Sequence, residues 1–242
     1  MDIFAQGPMD IDVKRIILAD GILTVTGRLV DASNATLYAT STSNDQSMTC
    51  IYKPIAGERA LWDFPDGTLA HREYAAFIVS EFLELNIVPL TVLRDGPYGE
   101  GMVQEWIDID ESVNLAEFFS TQHPQLRSMA FFDAIINNTD RKIGHLLPDK
   151  SGKIYGCDHG VTFHSDDKLR TVLWQWAGDP LLQSELELLN TLSQSLGRDL
   201  DLSAFLTAQE ILSLHGRVSR LLAQKTMPLP SQDWPAVPWP AF

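Results

Sequence analysis

The sequence predicts an α+β fold in which a β-rich first part is followed by a mainly helical second part. Before about residue 107, short β-branched or alternating runs are bounded by turn residues. Apolar residues then recur at three- and four-residue steps in the segment 69–85 and again beyond Asp110, which is typical of amphipathic helices. With 242 residues and 45% hydrophobic content, the chain is long enough for one large domain or two unequal lobes. We predict a β-rich N-terminal unit with one helix, a helical C-terminal unit and a docked tail rich in proline and tryptophan, at 1–107, 108–227 and 228–242.

The first part is expected to start with a meander of short strands, with β-rich sequence throughout residues 16–53. The predicted strands of this meander cover 24–30, 37–40 and 48–53. A helix over 69–85 follows the segment Asp66-Gly67-Thr68, in which Asp66 or Thr68 acts as the N-cap. Two further strands, joined by a turn, are predicted at 87–94 and 101–107.

Helices dominate the prediction for the second part. They cover 126–137, 181–196 and, as one or two helices, 203–224, with short strands at 146–147 and 154–160. Asp179-Pro180 offers a cap followed by a proline at the first helical position, which would open the helix at 181. The proline-rich tail cannot be helical, and its residues Trp234 and Trp239 favour docking on the body over a free tail.

The charge balance bears on the partners and the compartment. Eighteen Lys and Arg against 32 Asp and Glu give a net charge of −14, which repels polyanions and anionic membrane surfaces. We therefore expect no nucleic-acid partner and no stable membrane anchoring. The two cysteines, Cys50 and Cys157, are too few for a disulfide framework or a four-cysteine zinc site. Together with the lack of a signal-peptide pattern, this predicts a cytoplasmic protein.

Four polar residues point to phosphoryl-transfer chemistry when their order is considered. Asp140 follows a predicted helix, and Asp158, 18 residues later, lies near the end of a predicted strand, so that a hairpin brings both acids to one end. Two carboxylates suit Mg²⁺, which accepts phosphate oxygens and waters as its other ligands. Lys53 ends an upstream strand, and Glu73 lies 20 residues later on the amphipathic helix, where it can pair with the lysine. Each residue alone has an ordinary structural explanation; the order of the four favours a catalytic one.

Three motifs resemble the phosphatidylinositol 3- and 4-kinase-like branch of the protein-kinase-like fold, and within it the small bacterial kinase-related proteins. Asn138-Thr139-Asp140-Arg141 resembles the catalytic loop of that branch, and Asp158-His159-Gly160 resembles its metal-binding segment. Tyr52-Lys53-Pro54 resembles its lysine strand. The match runs from Ser33 to at least Phe163. The resemblance implies a two-lobed fold and an ATP-dependent phosphotransferase.

The resemblance also implies roles for individual residues. Asp140 would orient or deprotonate the acceptor, Asp158 would be the main Mg²⁺ ligand, and Glu73 would position Lys53 at the nucleotide phosphates. The phosphate-covering loop would contain Ser33, Asn34 and Thr36. The adenine-binding hinge would contain Gln104, Glu105 and Trp106. The implied cofactors are ATP and Mg²⁺ or Mn²⁺. The implied acceptor is an unidentified hydroxyl-bearing small molecule or protein.

Two departures from the family pattern leave alternatives open. His145 stands five residues after Asp140, where the family has a metal-binding Asn. It is either a ligand better suited to Mn²⁺ than to Mg²⁺ or a structural histidine bonded to a backbone carbonyl. The loop at Ser33 lacks the glycines of a phosphate-covering flap. The alternative functions are therefore a nucleotide-binding pseudokinase and an enzyme that transfers AMP on the same fold.

Two neighbouring features also have two interpretations. The segment 57–67 either closes over the nucleotide or acceptor, or forms an ordered surface loop anchored by Trp62 and Phe64. Arg72, beside Glu73, either contacts phosphate or pairs with a nearby carboxylate.

Overall fold

The computed structural model describes residues 9–29 and 34–242, and within these residues the chain forms two lobes. The N-terminal lobe contains a five-stranded antiparallel sheet with two helices, and the C-terminal lobe contains four helices and a two-stranded hairpin. This architecture confirms the predicted α+β class with a β-rich first part and a mainly helical second part.

The sheet of the N-terminal lobe places Lys53 at the cleft between the lobes. Its strands are β1 (Ile22–Arg28), β2 (Leu37–Ser43), β3 (Gln46–Pro54), β4 (Thr91–Gly96) and β5 (Gly99–Glu105), in the spatial order β1-β2-β3-β5-β4. Along β3, Cys50 and Tyr52 are buried on one face, because successive side chains of a strand point to opposite faces. Lys53 therefore projects from the other face.

The first helix, α1 (Ile11–Asp20), is absent from the prediction, which assigned residues 16–20 to a β-rich region. The side chain of Asp10 caps the helix by accepting the N–H of Asp12 at 2.9 Å. Ile17 and Leu18 are buried, and the Ile17 carbonyl oxygen accepts the Ser41 hydroxyl at 2.5 Å. Its isoleucines are typical of strands, and the short helix depends on this packing against the sheet.

The second helix, α2 (Leu69–Phe82), is capped by a residue distant in sequence. The hydroxyl of Thr68 donates to the Pro65 carbonyl oxygen at 2.7 Å, while the carboxylate of Glu58 accepts the N–H groups of Leu69 and Ala70 at 3.0 and 2.8 Å. Thr68 occupies the N-cap position, as one of the two predicted alternatives had it, but its side chain makes no capping hydrogen bond. Glu58 satisfies the free N–H groups of the first turn and places a negative charge at the positive end of the helix.

The C-terminal lobe contains α3 (Leu115–Phe118), α4 (Pro124–Ile136), α5 (Gln183–Ser195) and α6 (Ala208–Gln224), with the hairpin strands β6 (Leu146–Pro148) and β7 (Ile154–Gly156). Pro180 does not open α5, because its backbone bridges to Thr226 and the helix starts at Gln183. The Glu185 carboxylate caps that start by accepting the N–H of Leu182 at 2.7 Å. The strand predicted over 154–160 ends at Gly156, which leaves 157–160 as a loop.

The two lobes share one hydrophobic core and are also joined by Arg72 of α2. The buried guanidinium of Arg72 donates to the Thr162 carbonyl oxygen at 2.8 Å and forms an ion pair with Glu210 of α6. It also lies over the ring of Phe64, 4.8 Å from the centroid. Of the two interpretations for Arg72, the structure shows the pairing with a carboxylate.

The tail after α6 contacts the C-terminal lobe near the hairpin. The carbonyl oxygen of Ala236 accepts the N–H of Thr171 at 3.0 Å and the indole N–H of Trp174 at 2.9 Å. The carbonyl oxygen of Ala241 accepts the N–H of Ile143 at 2.9 Å. In the part of the chain that the structure describes, no helix is long and apolar enough to cross a membrane.

Candidate active site

Lys53 lies between two carboxylates that come from different parts of the fold. Its Nζ is 2.6 Å from Glu73 Oε1 on α2 and 2.9 Å from Asp158 Oδ1 in the loop after β7. The other oxygen of Glu73 accepts the backbone N–H of His159 at 2.8 Å. The structure thus brings together three of the four residues that the sequence order singled out, across the junction of the lobes.

The charges of this cluster control its protonation. Attraction to Lys53 holds the pKa of Asp158 well below its usual range, against the opposing effect of burial. Burial disfavours the charge of Lys53, but the carboxylates of Asp158 and Glu73 outweigh it and raise the lysine pKa. Burial raises the pKa of Glu73, and Lys53 opposes this shift. At neutral pH the cluster therefore presents an ammonium group and an ionised Asp158 carboxylate, which is 47% exposed.

Asp158 also has an unusual backbone conformation. Its φ of 60° lies in the left-handed region, which residues other than glycine seldom adopt. Such conformations persist only where surrounding contacts hold them, and they are frequent at functional sites. Here the neighbouring residues Cys157 and His159 are both held by hydrogen bonds to other segments.

Arg141 joins the loop that contains Asp140 to the loop that contains Asp158. Its guanidinium is fully buried, pairs with Asp133 of α4 at 2.9 Å and donates to the Cys157 carbonyl oxygen at 2.9 Å. It also lies 2.7 Å from His159 Nε2. Buried ion pairs that satisfy further hydrogen bonds hold their segments in one arrangement. Arg141 therefore positions both loops.

Asp133 is a positioning residue that the sequence analysis missed. Its carboxylate accepts from the side-chain amide of Asn138 at 2.9 Å, and the Asn138 side-chain oxygen accepts the N–H of Asp140 at 3.0 Å. The available signal was a charged residue between Phe132 and Ala134 on the apolar helix α4, which only a buried partner can explain.

Asp140 lies at the end of this network and lines the cavity between the lobes. Burial raises its pKa, and the nearby Lys142, with Nζ 3.3 Å from Asp140 Oδ2, opposes the shift. The carboxylate is 30% exposed. It is thus both positioned by its neighbours and accessible to a ligand.

His145 lies close to Asp158, and its contacts favour the neutral ring. Burial lowers the pKa of His145 to about 4. Its Nδ1 accepts the N–H of Lys142 at 3.4 Å, so the neutral ring carries its proton on Nε2, which is 3.4 Å from Asp158 Oδ2. The structural alternative had this ring bonded to a backbone carbonyl, but its backbone partner here is an amide. Within residues 9–29 and 34–242, no three His, Cys, Asp or Glu residues cluster as a metal site.

A cavity of about 300 Å³ lies between the lobes and connects these residues. Lys53, Glu73, Asp140 and Asp158 line it together with Asn34, whose side-chain oxygen accepts the N–H of Arg59 at 2.8 Å. The loop 58–64 forms a further part of the wall. Of the predicted phosphate-loop residues, Asn34 lines the cavity. Thr36, two residues further along the chain, is buried, and Ser33 lies outside the described residues.

The predicted hinge residues Gln104, Glu105 and Trp106 do not line this cavity. Gln104 is buried and its side-chain amide donates to the Thr91 hydroxyl at 2.9 Å, whereas Glu105 forms an ion pair with Lys14 of α1. The backbone N–H of Trp106 donates to the Thr49 carbonyl oxygen at 3.1 Å. The reason is that β5 continues through Glu105, so that sheet pairing engages this segment. The structure therefore gives no support to an adenine contact through these side chains.

Solved structures with a similar fold include kinases. The Golgi casein kinase with Mn/ADP bound superimposes with a TM-score of 0.56 at 14% sequence identity, and the alignment covers 88% of this chain and 74% of that one. The proinflammatory kinase CtkA of Helicobacter pylori gives a TM-score of 0.50 at 12% identity, with 87% and 94% covered. At these identities the likeness shows the fold, which is protein-kinase-like.

The sequence relationship is closer for a mycobacterial protein. Protein Rv2133c of Mycobacterium tuberculosis (strain ATCC 25618 / H37Rv) is 42% identical over 268 aligned positions, which cover 96% of both chains. No family model matches the sequence. On its extent and identity, this alignment shows that the chain belongs to the same protein family as Rv2133c, and that family has a protein-kinase-like fold.

Proposed function

We propose that the protein is an ATP-dependent phosphotransferase of the phosphatidylinositol 3- and 4-kinase-like superfamily that transfers the γ-phosphoryl group to a hydroxyl. The observation that carries the proposal is the contact of Lys53 with both Glu73 and Asp158 in a cavity that Asp140 also lines. In this proposal residues 1–107 supply the phosphate-binding side and 108–227 the catalytic and metal-binding loops. A kinase of the same fold that binds Mn/ADP supports a nucleotide and a divalent cation as ligands.

Lys53 and Glu73 would hold the nucleotide phosphates. Glu73 is almost fully buried and fixes the ammonium group of Lys53 through its Oε1, 2.6 Å from Nζ. An ammonium group that is already positioned stabilises phosphate charge without reorganisation during the reaction. Asn34, at the edge of the same cavity, would contact the phosphates from the loop before β2.

The residues present fit a hard divalent cation. Asp158 is ionised and partly exposed, and Asp140 lines the same cavity. Mg²⁺ commonly takes only one or two carboxylates and completes its shell with phosphate oxygens and waters. When bound, the cation would neutralise phosphate charge. His145 would add a nitrogen, which suits Mn²⁺ better than Mg²⁺, only after its Nδ1 releases the N–H of Lys142.

Asp140 would orient the acceptor hydroxyl and take its proton. Its burial raises the pKa, which makes the carboxylate a better proton acceptor than an exposed aspartate. The Asn138 and Asp133 contacts fix the loop, so the carboxylate is held where the reaction needs it.

A nucleotide-binding pseudokinase is the second candidate, and one observation favours it. His145 stands where the phosphatidylinositol 3- and 4-kinase-like pattern has a metal-binding Asn. Its Nε2 faces Asp158, and its Nδ1 accepts the backbone N–H of Lys142. A ring engaged in this way has no nitrogen lone pair left for a metal. Such a protein would bind ATP with metal and release no product.

The proposal is tested by thermal denaturation with ATP, with Mg²⁺ or Mn²⁺, and with each metal plus ATP. A ligand at about 100 times its Kd stabilises the native state by about 2.7 kcal/mol, or roughly 5 to 10 °C for a chain of this size. We expect this shift only with metal and ATP together. No shift at millimolar ligand would refute the proposed nucleotide site.

Two variants and a product assay complete the test. Asp158→Asn should lose the metal-dependent shift, while the exposed control Asp199→Asn should keep it. An unchanged shift in Asp158→Asn would remove Asp158 from the metal role. Release of ADP on transfer supports the kinase, release of pyrophosphate supports AMP transfer, and binding without either supports the pseudokinase.

A further inference from the structure

Two residues that line the interlobe cavity each contain a buried hydrogen-bond donor with no partner among the described residues. These donors are the Nε of Arg170 and the indole Nε1 of Trp234. Buried donors in folded proteins are almost always satisfied, so an unsatisfied pair in one cavity indicates a ligand or water that accepts from both. Both groups can only donate, which points to an acceptor-rich anion such as a phosphate or a carboxylate.

The backbone of Arg170 places its side chain beside Asp140. Its N–H donates to the Asn138 carbonyl oxygen at 2.9 Å, and its carbonyl oxygen accepts the N–H of Arg141 at 3.0 Å. These two partners flank Asp140 in sequence. Arg170 is thus attached to both sides of the proposed catalytic residue.

Arg170 also differs from the lysines of the cavity in its charge balance. Lys53 pairs with Glu73 and Asp158, and Lys168 pairs with Asp63 at 3.1 Å. For Arg170, no carboxylate partner within 4.0 Å occurs in the described residues. A guanidinium group that is accessible to a cavity and lacks a carboxylate binds phosphate or carboxylate through paired N–H groups.

The loop 58–64 and the tail border the outer side of the cavity. The two segments meet at Lys168, whose Nζ is 4.8 Å from the ring centroid of Trp62 and 4.8 Å from that of Trp234. With a volume of about 300 Å³, the cavity has the size of a small-molecule site. This size favours a small molecule over an extended peptide as its occupant.

From these contacts we infer that the acceptor is a small hydroxylated molecule with its own phosphate or carboxylate group, which Arg170 and the indole N–H of Trp234 bind. The inference rests on the proposed function. The acceptor oxygen forms a bond to the γ-phosphorus of ATP, and the bond from that phosphorus to the β–γ bridging oxygen breaks. The hydroxyl proton passes to Asp140, and ADP leaves with the bridging oxygen.

The test measures binding of three probes to the complex with Mg²⁺ and a non-hydrolysable ATP analogue, in which the γ-phosphate position is filled. Glycerol 3-phosphate and glycerate carry the two anions, and glycerol is the uncharged control. By calorimetry we expect one or both anionic probes to bind at least about tenfold more tightly than glycerol. The comparison of the two anionic probes identifies the preferred group.

Three variants assign the site. Arg170→Gln should weaken binding of the anionic probe by about tenfold or more, because the charge-assisted hydrogen bonds are lost. Trp234→Phe keeps an aromatic ring but removes the N–H, and should weaken binding less. Arg198→Gln, an exposed arginine away from the cavity, should bind as the unchanged protein does. The shift with Mg²⁺ and ADP shows that each variant is folded.

Several results would overturn the inference. They are equal affinity for glycerol and the anionic probes, no binding of either anion at millimolar concentration, or unchanged affinity in Arg170→Gln. Arg170-dependent binding of a Glu-Ser-Glu peptide without binding of the small anions would overturn the small-molecule class. If the ATP analogue itself fails to stabilise the protein, the proposed function fails, and the probes on nucleotide-free protein still decide the anion site.

Discussion

Lys53 neutralises a glutamate that is almost wholly buried, so that removing it has a structural consequence as well as a functional one. Glu73 is 1% exposed, and its oxygens contact only Lys53 and the His159 N–H among the described residues. Removing only the cation of a buried ion pair lowers the stability more than replacing both partners by uncharged residues. This distinction allows the two roles of Lys53 to be separated.

We predict that Lys53→Met lowers the free energy of unfolding by about 3 kcal/mol, because Glu73 is left as an unpaired buried charge. The double variant Lys53→Met/Glu73→Gln should recover at least about 1 kcal/mol of that loss, yet remain without phosphotransfer. Urea denaturation and ADP release measure the two effects.

The matched control is Lys14→Met, because the ion pair of Lys14 with Glu105 is more exposed. Loss of this ion pair should lower the free energy of unfolding by about 1 kcal/mol or less. A double variant no more stable than Lys53→Met alone would show that the buried charge is not the cause of the destabilisation.

At the scale of single residues, the order of Lys53, Glu73, Asp140 and Asp158 was enough to predict a shared site. The sequence did not predict that Arg170 and Trp234 line the cavity, because their positions depend on contacts between distant segments. Trp234, for example, reaches Lys168 across 66 residues of chain. Nothing local in either segment indicates that contact.

At the scale of elements, α2 is the one whose start depends most on a distant side chain. The Glu58 carboxylate accepts two N–H groups of its first turn, and Glu73 lies one turn further along. Loss of that cap would fray the turn next to the residue that positions Lys53.

We predict that Glu58→Ala lowers the free energy of unfolding by about 1 to 2 kcal/mol, the usual cost of losing a helix cap. Asp66→Ala, at one of the two residues that the sequence predicted as the cap, should change the free energy of unfolding by less than about 0.5 kcal/mol. Chemical denaturation of the two variants compares them directly. The opposite ranking would mean that Asp66 caps the helix in solution.

The strengths and failures of element prediction have physical causes. The strands of the sheet and α2 were predictable because their apolar spacing is set by one buried face. Helix α1 was not predicted because its isoleucines favour a strand and its stability comes from packing on the sheet. The strand predicted over 87–94 begins only at Thr91, since Pro89 has no N–H to contribute to a ladder.

At the scale of the whole molecule, the tail connects parts of the C-terminal lobe that are separate in sequence. It accepts hydrogen bonds from Ile143, three residues after Asp140, and from Thr171 and Trp174. Its Trp234 also contributes to the cavity wall. The tail thus holds these segments together beside the candidate site.

We predict that a chain ending at Gln232 loses about 3 kcal/mol of stability, from three hydrogen bonds at about 1 kcal/mol each. This corresponds to roughly 6 to 12 °C in Tm by calorimetry. Trp239→Ala, which changes a side chain that is 89% exposed, should leave the Tm within about 2 °C. An unchanged Tm after truncation would mean that the tail is free in solution.

The attachment of α2 to both lobes has a consequence for control. Arg72 is buried, pairs with Glu210 and donates to the Thr162 carbonyl oxygen, so an outward swing of α2 would have to break a buried ion pair. The neighbouring Glu73 is therefore kept in contact with Lys53 without any activating event. In the proposed phosphotransferase, α2 would therefore need no activating movement to bring Glu73 to Lys53.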